Sequence, residues 1–312
     1  MLSKLDGIFA FAIWDERDRS LFLARDHFGV KPLYYTSEKE NFFFASEIKG
    51  LLPFLKKNKT LNYDALNRYL TYLWCPGKET SLKSVYKLLP GEALIVSEGK
   101  IKKRWKWYTP SIFRQNPKKI MNKESAIKDT HDYLRKAVYR QMVSDVPVGA
   151  FLSGGLDSSA VVAFAREKNK NIQCFTIESN GHDKGDVDDL PYARKVAKHL
   201  NVPLDVVKVN PKKIAGNIEN MIKILDEPIA DPAALNVLYI SQLARKNGIK
   251  VLLSGAGGDD LFTGYRRHNA LVHEYLWSWL PLKVKSLISK TSLKISQKSN
   301  FYRRLTKILK GI

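Results

Sequence analysis

Apolar residues in the first hundred positions fall in short runs with a period of two, the spacing of strands. Ile8 to Trp14 is an apolar run, Asp15-Glu16-Arg17-Asp18 a polar turn, and Ser20 to Arg25 an alternating return, which together predict a hairpin. Leu33-Tyr34-Tyr35 and Phe42 to Ala45 predict two more strands, parted by Glu38-Lys39-Glu40-Asn41. Pro90-Gly91 is a turn signal, and Ala93 to Val96 and Trp105 to Tyr108 read as further strands. Between them, Leu66, Tyr69 and Leu70 give helical spacing from Asn62 to Tyr72, with Asn62 as the cap. The first strand has no earlier partner, so the pattern predicts an uncovered edge and apolar face there.

Beyond position 122 the period changes. Pro110 to Asn122 is polar, basic and turn-rich and reads as a linker. Ala126, Ile127, Tyr133, Leu134, Ala137, Val138 and Met142 predict a helix over 123–143. Short apolar runs at 146–152, 171–177, 204–209 and 249–253 then alternate with helical segments at 159–167, 191–200, 221–225 and 233–246. Strand–helix alternation predicts a parallel, doubly wound sheet, with ligands beyond the carboxyl ends of its strands.

Both glycine-rich runs lie at such ends. The first is Ser153-Gly154-Gly155-Leu156-Asp157-Ser158-Ser159. Its glycines allow backbone to approach a charged ligand, its serines offer donors, and the following helix adds unpaired N–H groups, so phosphate is the natural guest. No Lys follows the glycines, which excludes a Walker A loop. The run resembles the Ser-Gly-Gly-x-Asp-Ser signature of the ATP pyrophosphatases, the PP-loop enzymes. That resemblance implies cleavage of ATP to AMP and pyrophosphate, with residues 153–159 holding the pyrophosphate.

The second run is Ser254-Gly255-Ala256-Gly257-Gly258-Asp259-Asp260-Leu261-Phe262-Thr263-Gly264-Tyr265. With Gly7 to Asp15, Ala24 to Tyr35, Phe44 to Lys49 and Leu89-Pro90-Gly91, it resembles the glutamine-hydrolysing asparagine synthetases. The resemblance implies an α/β chain: half of an N-terminal-nucleophile αββα glutaminase sandwich at 1–109, a linker at 110–122, and a PP-loop synthetase domain at 123–312. It implies that ATP serves as substrate and that Asp157 and Asp259 bind Mg²⁺. Phe151, Ile177, Ser254 and Gly255 would contact the nucleoside. The implied reaction is adenylation of aspartate and its amidation by ammonia, giving asparagine, AMP and pyrophosphate.

Departures from the family pattern matter. The family's nucleophile is a processed N-terminal cysteine, whereas Cys75 and Cys174 are internal, so no glutamine hydrolysis is expected from this chain alone. The family's Arg-His-Arg-Gly-Pro-Asp, Asn-Gly-Glu-x-x-Asn and Gly-Ser-Asp runs do not occur. A catalytic lysine of the family would lie beyond position 312. Many members carry Glu where this chain has Ala256, and that Glu is the proposed base toward ammonia. Asp260 replaces the usual Glu. Asp226-Glu227-Pro228 and Asp231-Pro232 either face the acceptor site or form solvated turns. Alternatives therefore stay open: a relative acting on a sugar acid or other carboxylate, a PP-loop tRNA-modifying enzyme, or an inactive gene fragment, alone or assembled with separately encoded segments. The glutaminase half argues against the tRNA enzyme.

Composition narrows the class. At 312 residues, 44% hydrophobic and 27% charged, the chain has the make-up of a soluble two-domain protein. Two distant cysteines with no His at metal spacing fit a reducing cytoplasm. No secretory signal is legible, and no apolar run reaches the ~20 residues of a transmembrane helix. The net charge of +21 suits attraction of ATP. Nine Lys/Arg and no Asp/Glu fall in 281–312, read as helical surface for a partner segment rather than a lipid or nucleic-acid face. Small-molecule partners are expected, nucleic acid is not, and a homo-oligomer is left open.

Overall fold

The computed structural model describes residues 1–55, 59–110, 122–179, 189–209, 211–231 and 233–265, with isolated positions 268, 278–281, 284 and 286. The expected linker at 110–122 and the basic stretch at 281–312 lie almost wholly outside the described residues.

The first unit is two antiparallel sheets packed face to face. Strands β1 (Ala10–Asp15), β2 (Ser20–Arg25), β6 (Glu92–Ser97) and β7 (Lys100–Lys106) form one, in the order β1-β2-β6-β7. Strands β3 (Tyr34–Glu38), β4 (Asn41–Ala45) and β5 (Tyr86–Lys87) form the other, in the order β4-β3-β5. Leu23, Leu94 and Val96 from the first sheet pack against Leu33, Tyr35 and Leu88 of the second. Each such fully buried Leu contributes about 1.5–3 kcal/mol over an exposed one. As the pattern predicts, β1 is a sheet edge, and Ile13 and Trp14 stay 45% and 51% exposed. Helix α1 (Tyr63–Tyr72) is capped by Asn62, whose side chain accepts from the amide of Ala65.

Two strands escape the sequence pattern. The last strand runs over 100–106 rather than 105–108, because basic residues on its exposed face mask the alternation. Glu98 and Gly99, at φ +52° and +68°, make the tight turn that pairs it with β6. Strand β5 is two residues long and is held by its register with Tyr34 and Tyr35.

The second unit is a three-layer α/β sheet. Helix α2 (Lys123–Gln141) leads into β8 (Val148–Phe151), α3 (Leu156–Lys168), β9 (Cys174–Ser179), α4 (Leu190–Leu200) and β10 (Leu204–Val209). Then come α5 (Pro211–Ile224), α6 (Ala233–Lys246), β11 (Val251–Leu253) and the short α7 (Gly258–Leu261). The four strands are parallel in the order β10-β9-β8-β11. The chain winds outward from β8 to β10 and then crosses back to the other side of β8. The switch point therefore lies between β8 and β11. Val138, Val162, Ala193 and Ala197, from α2, α3 and α4, cover one face with Ala150 and Cys174. Ile240 and Ala244 of α6 pack on Phe175, and Met221 of α5 joins Val209 and Tyr239, on the other. Helix α3 starts three residues earlier than predicted, and α5 ten residues earlier. No helix among the described residues is long and apolar enough to cross a membrane.

Candidate functional site

The site is built where β8 and β11 end. Leaving β8, the chain turns at Gly154, whose φ of +84° suits glycine. A Cβ there would overlap the backbone of Tyr192 and Ala193, so Gly154 lets the loop press against α4. Gly155 then caps α3 with extended backbone. Ser153 and Ser158 share a hydrogen bond of 2.9 Å, while the hydroxyls of Ser158 and Ser159 donate to the Gly155 carbonyl at 3.1 and 2.7 Å. The serines thus knit the loop to itself. The first-turn N–H groups of α3 have no acceptor within the helix.

Leaving β11, the second loop passes Ser254, whose hydroxyl accepts from the Ala256 amide at 3.0 Å. Gly257, at φ +91°, turns the chain into α7. A Cβ on Gly255 would stand 2.7 Å from the Ser158 nitrogen and 2.8 Å from the Asp157 carbonyl carbon. The two loops therefore touch through glycine backbone, and no larger residue fits at 255.

Asp157, in the first turn of α3, and Asp259, in the first turn of α7, line one cavity of about 470 Å³. Burial, and after it the charge of Asp259, push the Asp157 carboxyl above its ordinary range; a hydrogen bond to the Asp259 backbone works the other way. Two carboxylates that repel across a gap favour a cation between them. Among the described residues no cluster of three or more His, Cys, Asp or Glu could hold a metal. Two carboxylates beside a phosphate-sized cradle fit magnesium, which binds through one or two carboxylates and completes its octahedron with water and substrate phosphate.

Of the residues expected to hold ATP, Phe151, Ser153, Gly155, Leu156, Asp157, Ser158, Ser254 and Gly255 line this cavity, as does Ala256. Gly154 and Ser159 support the loop from behind instead. Ile177 does not line the cavity and packs, as Phe151 and Val207 do, against the core of Phe175, Ile240 and Ala244. Val237 of α6, Phe262 and Gly264 complete the wall. The last two belong to the second glycine-rich run. Val237 sits in an ordinary helical pattern, and nothing local marks it.

A second cavity, of about 500 Å³ and mainly apolar, lies across the 254–262 loop and takes Phe28 and Val30 from the first unit. The loop bearing them is tightly built. The Arg25 guanidinium donates to the carbonyls of Gly29, Lys31 and Leu88, and Asp26 accepts from the amides of Phe28, Val30 and Lys31. Asp226 and Glu227 line neither cavity; both are largely buried and paired with lysines of the first unit.

Comparison with known proteins gives the family. A family model described as asparagine synthase matches residues 129–310, and one described as a glutamine amidotransferase domain matches 1–108. Asparagine synthetase [glutamine-hydrolyzing] 1 of Bacillus subtilis is 34% identical over 265 residues, 84% of this chain and 40% of that protein. Putative asparagine synthetase [glutamine-hydrolyzing] 2 of Methanocaldococcus jannaschii is 34% identical over 86% of this chain and 51% of its own length. Amidase chyE of Penicillium rubens is 28% identical over 96% and 46%, respectively. The chain thus spans about half or less of the length of these relatives. With the asparagine synthase model covering more than half of its residues, the chain belongs to the asparagine synthase family.

Proposed function

We propose that this chain carries the ATP-using site of an asparagine synthetase-like carbon–nitrogen ligase, within units at 1–109 and 123–312 joined by 110–122. The observation that carries the reading is the meeting of Asp157 and Asp259 in one cavity at the switch point of a parallel sheet. In this reading the first-turn amides of α3 hold the β- and γ-phosphates, and the hydroxyls of Ser153 and Ser158 join them by exchanging their bonds within the loop for phosphate oxygens. Phe151, Ser254, Gly255 and Val237 border the nucleoside.

Asp157 and Asp259 would hold Mg²⁺, which when bound offsets the charge of the departing pyrophosphate. The β-carboxylate of aspartate attacks the α-phosphorus, forming the acyl–phosphate bond and breaking the α–β bridge. Ammonia then attacks the acyl carbon, and AMP leaves as the amide forms. The loops contribute alignment of carboxylate and α-phosphorus, and fixed N–H dipoles where charge develops on the leaving group.

The test is exchange of labelled pyrophosphate into ATP. Exchange that requires both magnesium and aspartate supports adenylation of aspartate. Nucleotide binding without exchange, whatever the acid, sinks the ligase reading and leaves a nucleotide-binding chain. Ala256, which lines both cavities and has no side-chain proton acceptor, keeps a second acceptor open. Exchange supported by a sugar acid or another carboxylate, and not by aspartate, would identify that relative.

A further inference from the structure

Glu227 is partly buried between the two units, 140 positions in sequence from its main partner. Its two carboxylate oxygens each accept from the Lys87 ammonium at 3.1 Å, and one also accepts from the Tyr34 hydroxyl at 3.3 Å. Lys87 donates in addition to the Cys75 carbonyl. The side chains of Lys87 and Glu227 are 11% and 15% exposed, so this is an interior pair rather than a surface one. The remaining charged neighbours are Arg25 on β2 and Asp226 beside it in the chain.

The same segment is held at three more points. Lys49 pairs with Asp226 at 3.1 Å and donates to the Ile224 carbonyl at 2.7 Å. The Ala230 amide donates to the Leu73 carbonyl at 2.9 Å. Asp231 then caps α6, its carboxylate accepting from the Ala233 amide at 2.9 Å. One turn later, Val237 stands in the wall of the nucleotide cavity. Covalent chain and hydrogen bonds therefore run without a break from β3 and β5 of the first unit to that wall.

We propose that Glu227 is a positioning residue: gripped by Lys87 and Tyr34, it fixes the 224–231 segment and the start of α6, and so sets Val237 for nucleotide binding. The proposal rests on the nucleotide reading of the cavity. It gives the first unit a task in the second unit's chemistry that is separate from any chemistry of its own. Lys49 grips the same segment through a more exposed pair on Asp226, so its removal gives a graded comparison with the inner Lys87 grip.

The experiment measures MgATP affinity by calorimetry, and amide hydrogen exchange without nucleotide, on the full chain. The variants are Glu227→Gln, Lys87→Met, their combination and Lys49→Met. Glu227→Gln keeps shape and one acceptor, so it is expected to melt within a few degrees of the parent. Its MgATP affinity should fall about tenfold, the scale of coupling through a packed network. Exchange should quicken over 224–237 while β8 and β9 keep their protection. The double variant should bind no more weakly than the weaker single, because both break one link. Lys49→Met should bind within about twofold of the parent, as a partly exposed pair contributes little. Unchanged exchange over 224–237 in Glu227→Gln overturns the proposal whether or not nucleotide binds. Unchanged affinity in a folded Glu227→Gln, or strictly additive losses, overturns it as well. A parent chain that takes up no MgATP, yet shows the exchange change, fails the nucleotide reading and keeps the positioning of α6.

Discussion

The carboxylate of Asp157 rests on the backbone of Gly258, so closely that a Cβ at 258 would overlap its Oδ2 and Cγ atoms. Asp259 is seated on Gly264 in the same way. Each carboxylate of the candidate cation site is thus placed by the absence of a side chain on the second loop. Gly258→Ala should displace Asp157 and weaken magnesium-dependent nucleotide binding by about 10–100-fold, the range for loss of a ligand's support. Titrations with and without magnesium check this. Equal magnesium enhancement in parent and variant would show that Asp157 takes no part.

The adjoining glycines of the first loop have different tasks. Gly154 has a positive φ and no room for a Cβ against α4, whereas a Cβ on Gly155 meets nothing nearer than the Ser153 hydroxyl at 3.5 Å. Backbone strain alone at 154 costs about 1–3 kcal/mol. Gly154→Ala should therefore lower the melting temperature clearly. Gly155→Ala should cost less, about 0.5–1 kcal/mol, the margin by which glycine exceeds alanine at an N-cap. Denaturant melts of the two variants give the order, and the reverse order would contradict this loop geometry.

The buried pair between the units carries a pH signature. Burial pushes the Glu227 carboxyl above its ordinary range, ahead of the opposing pull of Lys87. For an acid raised in the folded state, the stabilising share is complete below the unfolded pKa and is lost as pH rises through the folded one. Lys87→Met removes the counter-charge and raises the carboxyl further. Its cost should be small near pH 4, where the carboxyl is protonated, and grow toward pH 8 to about 3–5 kcal/mol, the loss for an orphaned buried charge. Replacing both residues, as in Lys87→Met with Glu227→Leu, should recover most of that loss. A pH-independent penalty in the Lys87→Met melts would argue that Glu227 is solvated.

Both thiols are interior. Burial pushes the Cys174 thiol up to about 12 and also raises that of Cys75. Thiolate is the reactive form, so neither should react with an aromatic disulfide reagent in the native chain, and both should react in denaturant. Rapid labelling of native protein at either position would show that the unit holding it opens readily.

Much of the architecture is legible locally. The hairpin of β1 and β2, the Asn62 cap, the bounds of β10 and α6, and both glycine-rich loops follow from short-range periodicity and turn chemistry. Those signals fail where the local pattern is thin. Strand β5 has two residues, β7 carries its exposed face in lysines, and α3 begins at Leu156 because Gly155, not a later serine, ends the turn. Ile177 illustrates the limit within a correctly read strand: it shares a core cluster with Phe151, which lines the cavity, yet does not line it itself, a difference that periodicity does not carry.

The order of residues by itself determined that two phosphate-type loops end strands of a parallel sheet, each carrying an aspartate, because such features depend on neighbours within a few positions. Tertiary structure decided that β11 returns beside β8, so that the loops meet, and that Gly255 and Gly258 are the points of contact. It also decided that Glu227 turns inward to Lys87 rather than outward to water. The reason is physical: these contacts join residues about 100 or more positions apart, and only the packing of whole layers sets distances between them.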